Sequence, residues 1–174
     1  MMRSTSFHPL LMCMLTFVAN QATAALPPAP KLPVDAYFLM EATTGQVLVE
    51  HNGDLSLPPA SLTKIMTSYV LAEEVDAGRA SLDDMIKVSR NAWSQNPTFK
   101  GSSLMWIEPG KPVSLADLER GVVISSGNDA SVAVAEHLAG TESSFVDVMN
   151  QLAAELGLDN TVFRNPHGLP HPEH

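Results

Sequence analysis

Only one cysteine, Cys13, occurs in the 174 residues, so a disulfide framework is excluded. The chain also lacks a basic run. Its 10 Lys+Arg stand against 19 Asp+Glu, a formal net charge of −9, which argues against nucleic acid and anionic lipid surfaces as partners. Long hydrophobic runs are missing too. The apolar stretch Leu10 to Ala19 falls short of the about 20 residues that a membrane-spanning helix needs. No internal repeat is present, so the chain is no solenoid.

What is there begins with an export signal. Arg3, the apolar stretch and the small-x-small pattern Ala22-Thr23-Ala24 predict a signal peptide over residues 1–24, cleaved near Ala24, and hence a periplasmic protein. Cys13 would leave with it, and bulky Met12 disfavours lipid attachment at that cysteine. The mature chain would then carry no thiol, no membrane anchor and a charge of about −10. Residues 25–35 are proline-rich and read as an extended spacer. From residue 36 to 174 the composition is that of one globular domain, with 45% apolar and 17% charged residues over the chain.

Two apolar stretches, 36–41 and 46–50, flank Ala42-Thr43-Thr44-Gly45 and predict a β-hairpin. Helical periodicity follows from Ser61, through Ile65, Met66, Tyr69, Val70 and Ala72, with few charges before Glu73, the pattern of a buried helix ending near Gly78. Ser114 predicts the cap of a helix running through Ile124, a second runs from Asp129 to Leu138 before Gly140, and a third opens at Thr141 and closes at Gly157. Prolines 166, 170 and 172 break up the end of the chain, where His167, His171 and His174 read as a solvated tail rather than as metal ligands.

Ser61 and Lys64 lie three residues apart at the start of the first helix, which places them on one face. A serine hydroxyl becomes a useful nucleophile when a neighbouring base takes its proton, and a lysine serves as that base when burial lowers its pKa. Taken alone, so short a pattern reads first as a helix cap and a solvated lysine. Ser126-Gly127-Asn128 forms a polar turn between two apolar helices, where Asn128 or Asp129 could serve as nothing more than a cap.

Together the motifs say more. Pro59-Ala60-Ser61-Leu62-Thr63-Lys64-Ile65-Met66-Thr67, the segment from Asn96 to Met105, Ser126-Gly127-Asn128-Asp129-Ala130 and His167-Gly168-Leu169 occur in this order. S-x-x-K with S-x-N is a signature of β-lactamases and penicillin-binding proteins. Residues 36–168 resemble the low-molecular-mass penicillin-binding proteins of peptidase family S11, the serine D-alanyl-D-alanine carboxypeptidases. The resemblance implies an α/β fold of the β-lactamase/transpeptidase type, acting on peptidoglycan pentapeptide stems and acylated by β-lactams, without cofactor or metal. It also implies roles. Ser61 would be the nucleophile, with its N–H donating to the oxyanion, Lys64 the base, Ser126 a proton relay and Asn128 a substrate-amide ligand that also holds Lys64.

The family's third element, K-T-G on a later strand, is not found: none of Lys31, Lys64, Lys87, Lys100 and Lys111 precedes a Thr-Gly or Ser-Gly pair. The resemblance therefore implies an incomplete fold, the N-terminal hairpin and helical subdomain of a carboxypeptidase without its later strands. A catalytically incompetent remnant or peptidoglycan-binding stub is the alternative. A class A β-lactamase is disfavoured, because in Glu155 to Asn160 the asparagine falls one residue late for E-x-x-L-N and the segment reads as a helix end.

Overall fold

The computed structural model describes residues 28 and 30–174. The signal peptide expected at 1–24 lies outside them, as does part of the expected spacer. The described residues divide into two compact units, one ending at Gly53 and the other Asp54–His174.

In the first unit, β1 (Tyr37–Met40) pairs antiparallel with β2 (Val47–His51), with Tyr37 opposite His51 and Met40 opposite Val47. The connection is built by its own polar groups. The Glu41 carboxylate accepts from the N–H groups of Thr43 and Thr44 and from the Thr44 hydroxyl, which holds its carboxyl down at about 2. Gly45 supplies the left-handed residue, at φ 72°. Tyr37 stacks on His51 with ring centroids 5.5 Å apart.

The second unit is mainly helical. A 3-10 turn at Ala60–Leu62 runs into α1 (Thr63–Asp76). Near the other end of the unit lie α2 (Leu115–Ser125), α3 (Asn128–Ala139) and α4 (Glu142–Glu155). Their bounds match the expected ones to within about two residues, the usual latitude of a helix end. The caps explain this: Ser114 Oγ accepts from Asp117 N–H at 3.1 Å and Thr141 Oγ1 from Ser144 N–H at 3.0 Å.

Helix α3 sits centrally. Every residue from Asn128 to Ala135 is buried, and its small side chains let the other three helices approach. One core cluster gathers Leu71, Phe99, Leu115, Leu118, Val122, Val132 and Val134, and a second gathers Met66, Val70, Ala135, Phe145, Met149 and Phe163. Each fully buried side chain of this size contributes about 1.5–3 kcal/mol.

A short ladder was not legible in the sequence. The strands β3 (Met85–Ile86) and β4 (Val113–Ser114) pair antiparallel. Beside them, the carbonyls of Asp84 and Leu82 accept from Leu115 and Ala116 N–H at 2.9 Å each, satisfying donors that the first turn of α2 leaves open. The pairing is non-local and only two residues long, too short for an alternation to show.

Two expectations are corrected. Helix α1 is not buried all round: Ile65 is 69% and Tyr69 40% exposed, whereas Thr63, Lys64 and Thr67 face inward. Polar contacts set its rotation. Thr67 donates to the Pro166 carbonyl at 2.6 Å and Thr63 Oγ1 lies 2.8 Å from His174 Nε2, which turns Ile65 and Tyr69 away. The histidine tail is solvated only in part: these contacts and the bond from Lys64 to the His167 carbonyl draw the 166–167 turn and His174 onto α1, whereas His171 stays exposed. His167 is 5% exposed, and burial, with His167 and His171 adding to it, lowers the pKa of His174. Among the described residues no helix is long and apolar enough to cross a membrane.

Candidate active site

The residues singled out in the sequence converge where α1 begins and α2 gives way to α3. Ala60, just before Ser61, takes a left-handed φ of 47°, and Ser126 at the end of α2 takes 51°. Both conformations are uncommon for residues with a side chain. They aim the two serines at each other: Ser126 Oγ donates to Ser61 Oγ at 2.9 Å.

Lys64 Nζ completes the group. It donates to Ser61 Oγ at 3.3 Å, to Asn128 Oδ1 at 2.6 Å and to the His167 carbonyl at 2.7 Å. Lys64 is 5% exposed, and its pKa is lowered from 10.5 to about 8, mainly by burial, with the charge of Asp129 opposing the shift. At that value about one molecule in ten holds a neutral amine at pH 7. A neutral amine accepts a proton from the hydroxyl it now donates to. A groove of about 350 Å³ opens above the group, lined by Ser61, Lys64, Ser126 and the apolar Ile65, Val122 and Val123. A larger apolar groove on the other flank of α1, about 540 Å³ between Leu62, Tyr69, Leu156 and Phe163, carries no group suited to chemistry.

The sequence model of the D-alanyl-D-alanine carboxypeptidases, peptidase family S11, matches residues 15–174. The chain belongs to that family. It is 47% identical over 157 residues to the D-alanyl-D-alanine carboxypeptidase DacC of Escherichia coli, covering 90% of this chain and 38% of that protein. Among solved structures, penicillin-binding protein 5 of Haemophilus influenzae superposes with a TM-score of 0.80 at 42% identity, over 84% of this chain and 42% of that one. Penicillin-binding protein D2 of Listeria monocytogenes, solved in its cefotaxime-bound form, gives a TM-score of 0.73 at 28% identity, over 85% and 57%. The fold is thus that of the penicillin-binding proteins, of which the described residues hold the hairpin and the helical part. This S11 chain spans well under half the length of the curated relative.

All four residues expected at the site of this S11 chain lie together, and the bland readings of them fail. Ser61 caps no helix, since no side-chain cap bond forms at that end, and Lys64 is buried. Asn128 is not a cap, because its side chain holds Lys64. Asp129 is not one either. Fully buried, its carboxylate accepts from the N–H groups of Met105, Trp106, Ile107 and Ala130 at 2.8–3.1 Å. This straps the 103–107 segment beside the site, while the Ser103 carbonyl accepts from Asn128 N–H at 2.9 Å. Trp106 is 74% exposed at φ 68°, because consecutive N–H groups are committed to one carboxylate.

Sequence reasoning missed the His167 carbonyl, since a backbone group carries no residue signature. It also missed Asn165, for which the only signal was an asparagine before proline in a polar, irregular stretch.

Proposed function

We propose that this chain carries the acylation machinery of a serine D-alanyl-D-alanine carboxypeptidase that trims peptidoglycan pentapeptide stems. Ser61 Oγ attacks the carbonyl carbon between the two terminal D-alanines while neutral Lys64 Nζ takes the hydroxyl proton. The Ser61 N–H donates to the oxygen on which charge develops. Ser126 returns a proton to the leaving nitrogen, the C–N bond breaks and D-alanine departs. Water then attacks the ester carbon and frees Ser61. Asn128 orients Lys64 and offers its amide to the substrate backbone. β-Lactams acylate the same oxygen.

The observation that carries this reading is the Ser61–Lys64–Ser126 cluster around one buried, pKa-lowered amine. The family membership and the β-lactam-bound relative support the substrate class. An acidic chain with the N-terminal features of a signal peptide fits a periplasmic enzyme without cofactor or nucleic-acid partner, with residues 36–174 as a partial catalytic domain.

The test is the intact mass of the chain after incubation with a penicillin. The wild type gains the mass of the drug and Ser61→Ala does not. Absence of a gain in a well-folded wild type favours the competing reading, a remnant without turnover, for which the exposed Leu62, just before α1, and Ile65 and Tyr69 on it are the supporting observation.

A further inference from the structure

One of the three acceptors around Lys64 Nζ is not a side chain. The His167 carbonyl belongs to an irregular turn, and a carbonyl in a turn points where its neighbours make it point. Here the neighbours are specific. Asn165, 8% exposed, accepts with its single Oδ1 from both His167 N–H at 3.2 Å and Gly168 N–H at 2.6 Å, and its Nδ2 donates to the Leu169 carbonyl at 2.9 Å. One amide side chain thereby closes the turn on itself, fixing the peptide units on both sides of the His167 Cα, the second of which carries the His167 carbonyl.

The turn is pinned from outside as well. Thr67 on α1 donates to the Pro166 carbonyl. The His167 ring accepts from Leu169 N–H at Nδ1, faces the Glu142 carboxylate at 3.6 Å through Nε2 and stands edge-on to Phe99. At Gly168 the backbone presses so closely on the Ala60 carbonyl that a Cβ would overlap it. The same turn therefore touches both the residue before Ser61 and the amine of Lys64.

We propose that Asn165 is a positioning residue for acyl transfer: by holding the 165–169 turn it aims the His167 carbonyl at Lys64 Nζ and keeps water from the amine. The reaction it serves is the one proposed above, and the positioning itself is measurable without that reaction. Asn165 touches no substrate. Its effect passes through the backbone of His167 to the base.

The experiment reads Lys64 directly. The full chain labelled with 13C at lysine Cε has five lysines, and the Lys64 signal, assigned by its loss in Lys64→Arg, is followed against pH. Asn165→Ala raises the Lys64 midpoint by half a unit or more, toward the ordinary lysine value, as water replaces the carbonyl. Leu118→Ala, destabilised at a core position that neither lines the groove nor hydrogen-bonds to Lys64, leaves the midpoint in place, so mere loss of stability does not mimic the effect. Should Asn165→Ala not fold, Asn165→Ser, whose hydroxyl is too short to reach both N–H groups, is read the same way. Acylation by a penicillin at pH 7 falls at least tenfold in the variant. An unmoved Lys64 midpoint in folded Asn165→Ala or Asn165→Ser overturns the proposal. A wild type that is never acylated, yet whose Lys64 midpoint rises on loss of Asn165, sinks the acyl-transfer reading and leaves the positioning standing.

Discussion

Lys64 should make the protein more stable as the solution becomes alkaline, against the usual trend. In the folded chain its pKa lies at about 8 instead of 10.5, chiefly because the amine is buried. In the unfolded chain the amine is hydrated and keeps its ordinary affinity for protons. Below pH 8 both states are protonated and the full cost of a buried ammonium is present. Between 8 and 10.5 the unfolded state binds the proton that the folded state has lost, so stability rises with pH. The depression corresponds to about 3 kcal/mol at 1.36 kcal/mol per unit, of which about 2 to 3 kcal/mol is recovered between pH 7 and 10.

The perturbation is Lys64→Met, which keeps the stem and removes the titrating group. Urea melts of both proteins at intervals from pH 7 to 10 give the difference in unfolding free energy, from which other titrating groups cancel. Relative to the variant, the wild type gains about 2 to 3 kcal/mol over this range. A difference that stays flat to within about 0.5 kcal/mol would refute the claim that Lys64 is held in a water-poor site.

Other substitutions test other parts of the argument. Asp129→Asn places an N–H₂ where the carboxylate accepts four N–H groups, and should cost about 2–4 kcal/mol in a denaturant melt; a loss under about 1 kcal/mol would mean the strap is dispensable. Gly168→Ala combines φ 87° with overlap of the Ala60 carbonyl, so it should lower the melting temperature and slow penicillin acylation; a wild-type acylation rate would show that the contact does not reach Ser61. Leu118→Ala, at a fully buried position outside the groove lining, should cost about 2–5 kcal/mol without shifting the pH dependence of acylation, and a shifted profile would show that packing at Leu118 reaches the site.

Much of this was open to reading before any coordinates. The hairpin, the four helices, the caps of α2 and α4 and the Ser61–Lys64 and Ser126–Asn128 pairs are local patterns, in which spacing, periodicity and stop signals act over a few residues. Ser61 and Lys64 share a face because a helix places residues three apart side by side. The order of the motifs was enough to point to the family.

What only the tertiary structure decided is non-local. No spacing rule brings Ser126 within hydrogen-bond reach of Ser61 across 65 positions, or the His167 carbonyl to Lys64 across 103. The rotation of α1 was misread because hydrophobic periodicity counts Ile65 and Tyr69 as core, while the inward face was claimed by Thr63, Lys64 and Thr67 through hydrogen bonds to a distant segment. His167 was misread for the same reason: prolines forbid regular structure, but they do not forbid burial when side chains elsewhere supply the hydrogen-bond partners. Sequence determined which groups the site contains, since chemistry resides in side chains. Folding decided that one of those groups, the amine of Lys64, sits among three acceptors and little water, and that environment is what turns an ordinary lysine into a base.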